Sequence, residues 1–143
     1  MNMQRDTRRA ALQALYQLDS IGEDHLDMIR ESLVEGREKS SSIDDGFELA
    51  QQVWAQREEA DAAVALLTPE WPTHRQPMID RNVLRLGWYE LHYGQAPPKV
   101  VIDEAIELAR EFSTQQSPSF INGVLDTLWQ QQKDAVGTEG TGA

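Results

Sequence analysis

Arg5, Arg8 and Arg9 stand against one acid, Asp6, in the first nine residues, a local charge of +2 on a chain whose formal net charge is −11. A guanidinium is planar and can fork onto phosphate or stack on a base, so a basic start can contact RNA or a partner. It can equally be a solvated helix start, and composition does not choose between the two. The other groups that could do chemistry are scattered. His25, His74 and His92 fall on different elements with no metal-ligand spacing between them. Asp103, Glu107 and Glu111 recur every four residues and share one helix face. A carboxylate face holds metal in a helical core only with partners such as Glu-x-x-His on neighbouring helices, and none is present. Lys99 lies four before Asp103 and Arg110 three after Glu107, which predicts surface ion pairs instead. No cysteine is present, which removes disulfides, thiolate nucleophiles and cysteine-held metals. Gly-x-Ser-x-Gly, His-Glu-x-x-His and Gly-rich phosphate loops are absent. These residues predict a binding protein, not an enzyme, with no cofactor.

The 143 residues, 40% hydrophobic and 26% charged, suit one globular domain. No apolar run nears the roughly 20 residues of a membrane helix and no apolar signal core follows Met1, so the expected location is the cytoplasm, away from membranes. From Asp19 to Glu48 ten acids face three bases, so most of the acidity lies away from the basic start. An acidic protein that binds nucleic acid needs a local basic patch, a basic helper, or both.

Every strong periodicity is helical. Ala11, Leu12, Ala14, Leu15 and Leu18 predict a helix over Thr7–Leu18, stopped by Gly22. Leu26, Ile29 and Leu33 make a second stripe, ended by Gly36. Ser40–Ser42 reads as a polar hinge, with Ser42 and Asp45 at capping-pair spacing. Ile43, Phe47, Ala50 and Trp54 continue in phase to Leu67, which predicts a single helix of about 24 residues stopped by Pro69. Pro69-Glu70-Trp71-Pro72 breaks the chain, and Pro77 suits the first turn of the next helix. That helix carries two apolar stripes, Ile79-Val83-Leu86 and Leu84-Trp88-Leu91, and is therefore expected at the centre. Val101, Ala105, Leu108 and Phe112 mark another; Ser117-Pro118 opens a last one through Trp129. The expected architecture is an all-α bundle of about seven helices in two small subdomains, about residues 1–70 and 76–132. They form one domain, 1–133, and the Gly/Thr-rich residues 134–143 read as a flexible tail.

Three blocks go beyond generic helix statistics: Ile79-Asp80-Arg81-Asn82-Val83-Leu84-Arg85-Leu86-Gly87-Trp88-Tyr89-Glu90-Leu91, then Pro98-Lys99-Val100-Val101-Ile102-Asp103-Glu104-Ala105-Ile106-Glu107-Leu108-Ala109-Arg110-Glu111-Phe112, then Ser119-Phe120-Ile121-Asn122-Gly123-Val124-Leu125-Asp126. They resemble the C-terminal half of the NusB family, and Arg8-Arg9-Ala10-Ala11-Leu12-Gln13-Ala14-Leu15-Tyr16 resembles its arginine-led first helix. The resemblance spans roughly residues 3–132 and is most specific from Lys99 to Asp126.

The resemblance implies a non-enzymatic transcription antitermination factor. It would pair with NusE, a small-subunit ribosomal protein, and the pair would bind the boxA element of nascent ribosomal RNA. With NusA and NusG it would keep RNA polymerase from terminating early. By the same resemblance Arg5, Arg8, Arg9, Lys99 and Phe120 are the RNA-binding positions, and Tyr16 and Asp80 the partner-binding ones. Phe120 would offer a ring face to a base, or serve as a core aromatic, since it lies four before Val124. Asn122 and Gly123 read as structural, the glycine admitting a close helix. Gln4, Asp6 and Ser119 stand where members often carry bases, so the basic arm is thinned. That motivates a second reading, a protein-interaction-only adaptor of the antitermination complex. A third, an accessory domain of an RNA-modifying enzyme, is disfavoured because the sequence leaves no room for a catalytic domain. Some members self-associate, so a homodimer is also open.

Overall fold

A computed structural model describes the backbone of residues 2–35 and 40–142, and side chains of residues 5–35 and 41–135. The described residues form seven α-helices and no strand: α1 Asn2–Ile21, α2 Leu26–Val34, α3 Ser40–Ala55, α4 Arg57–Leu67, α5 Met78–Tyr93, α6 Pro98–Phe112 and α7 Ser117–Gly142. The all-α expectation holds. Gly22 stops α1 as its sequence suggests, taking φ of +88°, a conformation that costs glycine little. Gly36, the expected end of α2, lies outside the described residues.

Alanines and leucines fix the first packing contact. Ala10, Ala11, Ala14, Leu15 and Leu18 on α1 are buried, and α1 lies along α3. Gly46 of α3 lets the two backbones approach: a Cβ there would sit 2.5 Å from the Ala10 Cβ and 2.7 Å from the Thr7 carbonyl oxygen. In the second half α5, α6 and α7 pack together, and Gly87 of α5 faces Leu125 of α7, whose methyls would lie 2.8 Å from an added Cβ. Helix α5 is buried on several sides, with Val83, Leu84, Leu86 and Trp88 at 5% exposure or less, so the two-stripe reading placed the central helix correctly. One cluster of buried apolar side chains runs from Ala11 to Leu128.

Three sequence expectations change. The helix predicted from Ile43 to Leu67 is two, α3 and α4, broken at Gln56, where φ and ψ are −103° and 9°. Gln56 N–H donates to the Val53 carbonyl at 3.0 Å, Arg57 donates to the Trp54 carbonyl at 2.8 Å, and the Arg57 guanidinium stacks 4.0 Å from the Trp54 ring. The break is thus held by a cation–aromatic contact and not by glycine or proline. Ser40–Ser42 opens α3 instead of forming a hinge, and Ser42 is fully buried, with no hydrogen-bond partner for its hydroxyl among the described residues, so it is no cap. The segment read as a tail continues α7 as far as Gly142.

A charged knot joins the end of α1 to α4 and α5. Asp19 accepts from Arg81 at 2.6 Å, Asn82 at 2.9 Å and Arg85 at 3.0 Å, while Arg85 also forks onto Asp61 at 2.7 and 2.8 Å. Burial alone would raise the Asp19 pKa, but the Arg81 and Asn82 hydrogen bonds and the two guanidinium charges outweigh it and hold the carboxyl below its usual value. Burial likewise opposes the Arg85 charge, and Asp61 and Asp19 reverse it.

Candidate functional site

Two helices, α1 and α6, flank a cleft bridged by their side chains and carry most of the expected site. At the start of α1, Arg5 donates to both oxygens of Glu104, at 3.0 and 3.2 Å. One turn on, Arg9 bridges Glu111 at 3.0 Å and Asp6 at 3.2 Å. Arg110 pairs with Glu107 on the same rim, as its spacing predicts. These side chains line a cleft of about 300 Å³ between the helices. Glu104 raises the Arg5 pKa through its hydrogen bond and its charge, and both arm arginines are already matched by acid.

Arg8 borders the same cleft but is held deeper. Its side chain is 6% exposed and grips Glu90 of α5, itself 12% exposed, at 2.7 to 3.1 Å. Burial works against the charge, and the Glu90 bonds and charge overcome it. Its ion pair with Glu90 makes Arg8 a strut between α1 and α5.

Farther along the same seam the lining turns apolar. Tyr16, 41% exposed, borders an open groove of about 370 Å³ with Leu12, Gln13, Gln17, Ile79 and Phe112. Asp80, expected beside Tyr16, is fully buried. Its carboxylate accepts hydrogen bonds from Ser113 at 2.5 Å and Ser117 at 2.9 Å. In the free chain Asp80 is therefore a buried structural acceptor. It clamps the turn between α6 and α7, with Phe112 of the groove just before Ser113 and Phe120 one turn beyond Ser117.

The remaining expected positions lie at opposite ends. Lys99 is exposed in the first turn of α6 and forms no ion pair with Asp103, contrary to its spacing. Phe120 is partly buried near the start of α7, its ring centroid 4.5 Å from that of Trp71 in a tilted pair. Its ring is thus half-buried and packed against a second aromatic. Asn122 and Gly123 are exposed, and a Cβ at 123 would meet nothing within 4 Å. The close-approach glycines are Gly46 and Gly87 instead.

Sequence reasoning missed Glu90 and Glu104, the counter-ions that decide what the arginines do. It also missed Trp71, which the flanking prolines marked only as a chain break. Glu104 had a local signal, since it shares a face with Glu107 and Glu111. Glu90 lies 82 residues from Arg8 and had none.

Known proteins share this sequence pattern and fold. The NusB family model matches residues 5–130. A transcription antitermination protein NusB from Herpetosiphon aurantiacus is 39% identical over 126 residues, covering 85% of this chain and 86% of the relative. The NusB of Streptomyces coelicolor is 40% identical over 126 residues, covering 85% and 88%. Among solved structures, T. maritima NusB superposes with a TM-score of 0.77 at 31% identity, covering 88% of this chain and 89% of that one. A structure of NusB and NusE with dsRNA matches at TM-score 0.77 over 92% and 98% of the chains; at 24% identity it speaks for the fold. Matched along nearly its whole helical body by the family model and by relatives named transcription antitermination proteins, the chain belongs to the NusB family.

Proposed function

We propose that this chain is a cytoplasmic transcription antitermination factor that pairs with NusE and, as a pair, binds boxA RNA of nascent ribosomal transcripts. It would act beside NusA and NusG to keep RNA polymerase elongating. The observation that carries the reading is the division of the α1–α6 seam into an arginine cleft at one end and an apolar, Tyr16-bordered groove at the other. The groove offers a protein partner buried area and one phenolic hydroxyl, the usual anchor chemistry of an interface. The cleft supplies cations for phosphate, and the overall charge of −11 complements a basic ribosomal protein. Because Arg5 and Arg9 are already paired with acids, few counterions are released when the free chain meets RNA, so affinity must come largely from the pair.

The same ion pairs favour a second reading, a protein-only adaptor with no RNA preference. Both readings require the groove. Calorimetric titration of NusE should show Tyr16→Ala weakening association at least about tenfold, as for an interface anchor, with the melting temperature unchanged. Unaltered affinity would remove the groove from either account.

A further inference from the structure

Among the described residues, every arginine except Arg75 meets a carboxylate, and Lys133 lies over the Trp129 ring. That leaves Arg75 and Lys99 as the described Lys and Arg side chains with no such engagement. Lys99 belongs to the site already described. Arg75 does not: it is exposed in the short turn Thr73–Arg75 between α4 and α5, four residues after Trp71. Trp71 is 37% exposed and its ring rests against Phe120.

This turn is held in shape. Arg75 N–H donates to the Pro72 carbonyl at 2.9 Å, and the side chain of Gln76, 4% exposed, donates to the Trp71 carbonyl at 3.0 Å. Gly123, one helical turn after Phe120 on α7, is exposed, and a Cβ there would meet nothing within 4 Å. An exposed indole, a second ring tilted against it and an unengaged guanidinium four residues on are what a single-stranded nucleotide needs: stacking for the base and a fork for the phosphate. Glu70 is the one acid between residues 68 and 79, and it forms no ion pair with Arg75.

We propose that Trp71, Phe120 and Arg75 form a nucleotide seat at the α4–α5 turn, in which one base of single-stranded RNA stacks on Trp71 and Arg75 takes the adjacent phosphate. The proposal rests on the RNA-binding reading above and extends that surface to residues outside the arginine arm.

Fluorescence anisotropy of a labelled single-stranded boxA RNA with the chain–NusE complex tests it. Trp71→Leu should weaken binding about 5- to 100-fold, the effect of one lost base stack, and Trp71→Phe should retain most of the affinity. Arg75→Gln should weaken binding by roughly threefold to tenfold and lower the salt slope by about one phosphate contact. Arg75 has no partner to lose, so its variant keeps the fold even if Trp71→Leu does not. Parent-like affinity and salt slope in Arg75→Gln overturn the seat; if Arg9→Gln still weakens binding, the RNA reading survives alone. No RNA binding by the parent complex overturns both.

Discussion

Arg5 and Arg8 sit three residues apart on α1 and each grips a glutamate, but the Arg5 side chain is 48% exposed and that of Arg8 6%. Water screens the first pair and can replace Glu104 without much loss. The second is buried, and removing its cation would leave Glu90 charged and unpaired inside the α1–α5 contact. Arg8→Gln should therefore cost about 3 kcal/mol of stability by urea unfolding, whereas Arg5→Gln should leave the unfolding midpoint in place. A weakened RNA affinity in Arg8→Gln that tracks lost folding is expected; full stability in that variant would contradict the strut. The same contrast shows what was legible in the sequence. Its residues gave the cations, since arginines near a chain start are visible by inspection. It hid their carboxylates, because pairing across 82 residues leaves no local pattern. The burial of Asp80 was hidden for a related reason. An acid in the first turn of a helix looks solvated until Ser113 and Ser117 fold over it.

Helix by helix, periodicity located the apolar faces and largely failed at the joints. It placed α1, α5, α6 and the start of α7 because their buried residues recur at three and four. It ran α3 into α4 because the apolar repeat stays in phase across Gln56, and the Trp54–Arg57 contact that holds the break is tertiary chemistry. Two predictions belong at this scale. Gly46→Ala should destabilise the fold by about 2–3 kcal/mol, since the new methyl meets the Thr7 carbonyl oxygen and Ala10 Cβ and one helix must move; Gly123→Ala, in open space, should be neutral or mildly stabilising. Chemical denaturation of both variants checks the pair. The Asp19 knot gives the second. Its folded pKa lies below the unfolded one, so its stabilisation is complete above the unfolded carboxylate range, about pH 4, and is lost as pH falls through the folded value. Asp19→Asn should cost about 2–3 kcal/mol at pH 7, and its deficit against the parent should shrink as the pH drops below 4. A deficit that stays constant with pH would mean that the Asp19 charge contributes nothing.

For the molecule as a whole, the charge of −11 and the RNA reading are compatible only if the cations are few, placed, and helped. Eleven of the 13 basic residues have described side chains, and most of those are spent on internal carboxylates; Arg37 and Lys39 lie outside the described residues. A free chain in this state should bind RNA weakly and with little salt dependence. A basic partner docked in the Tyr16 groove would add cations along the same α1–α6 seam, and on the proposed function assembly would then be the step that creates the RNA site. Family membership was legible from the blocks at 79–91, 98–112 and 119–126; the division of labour was not, because it depends on which side of α1 each arginine faces. The most direct measurement is an anisotropy titration of boxA RNA and a scrambled control against this chain, NusE, and the two together, at two salt concentrations. The account predicts selective binding by the pair at least about tenfold tighter than by either protein, with a steeper salt slope than the chain alone. No gain over NusE alone, or tight salt-resistant binding by the isolated chain, would contradict it.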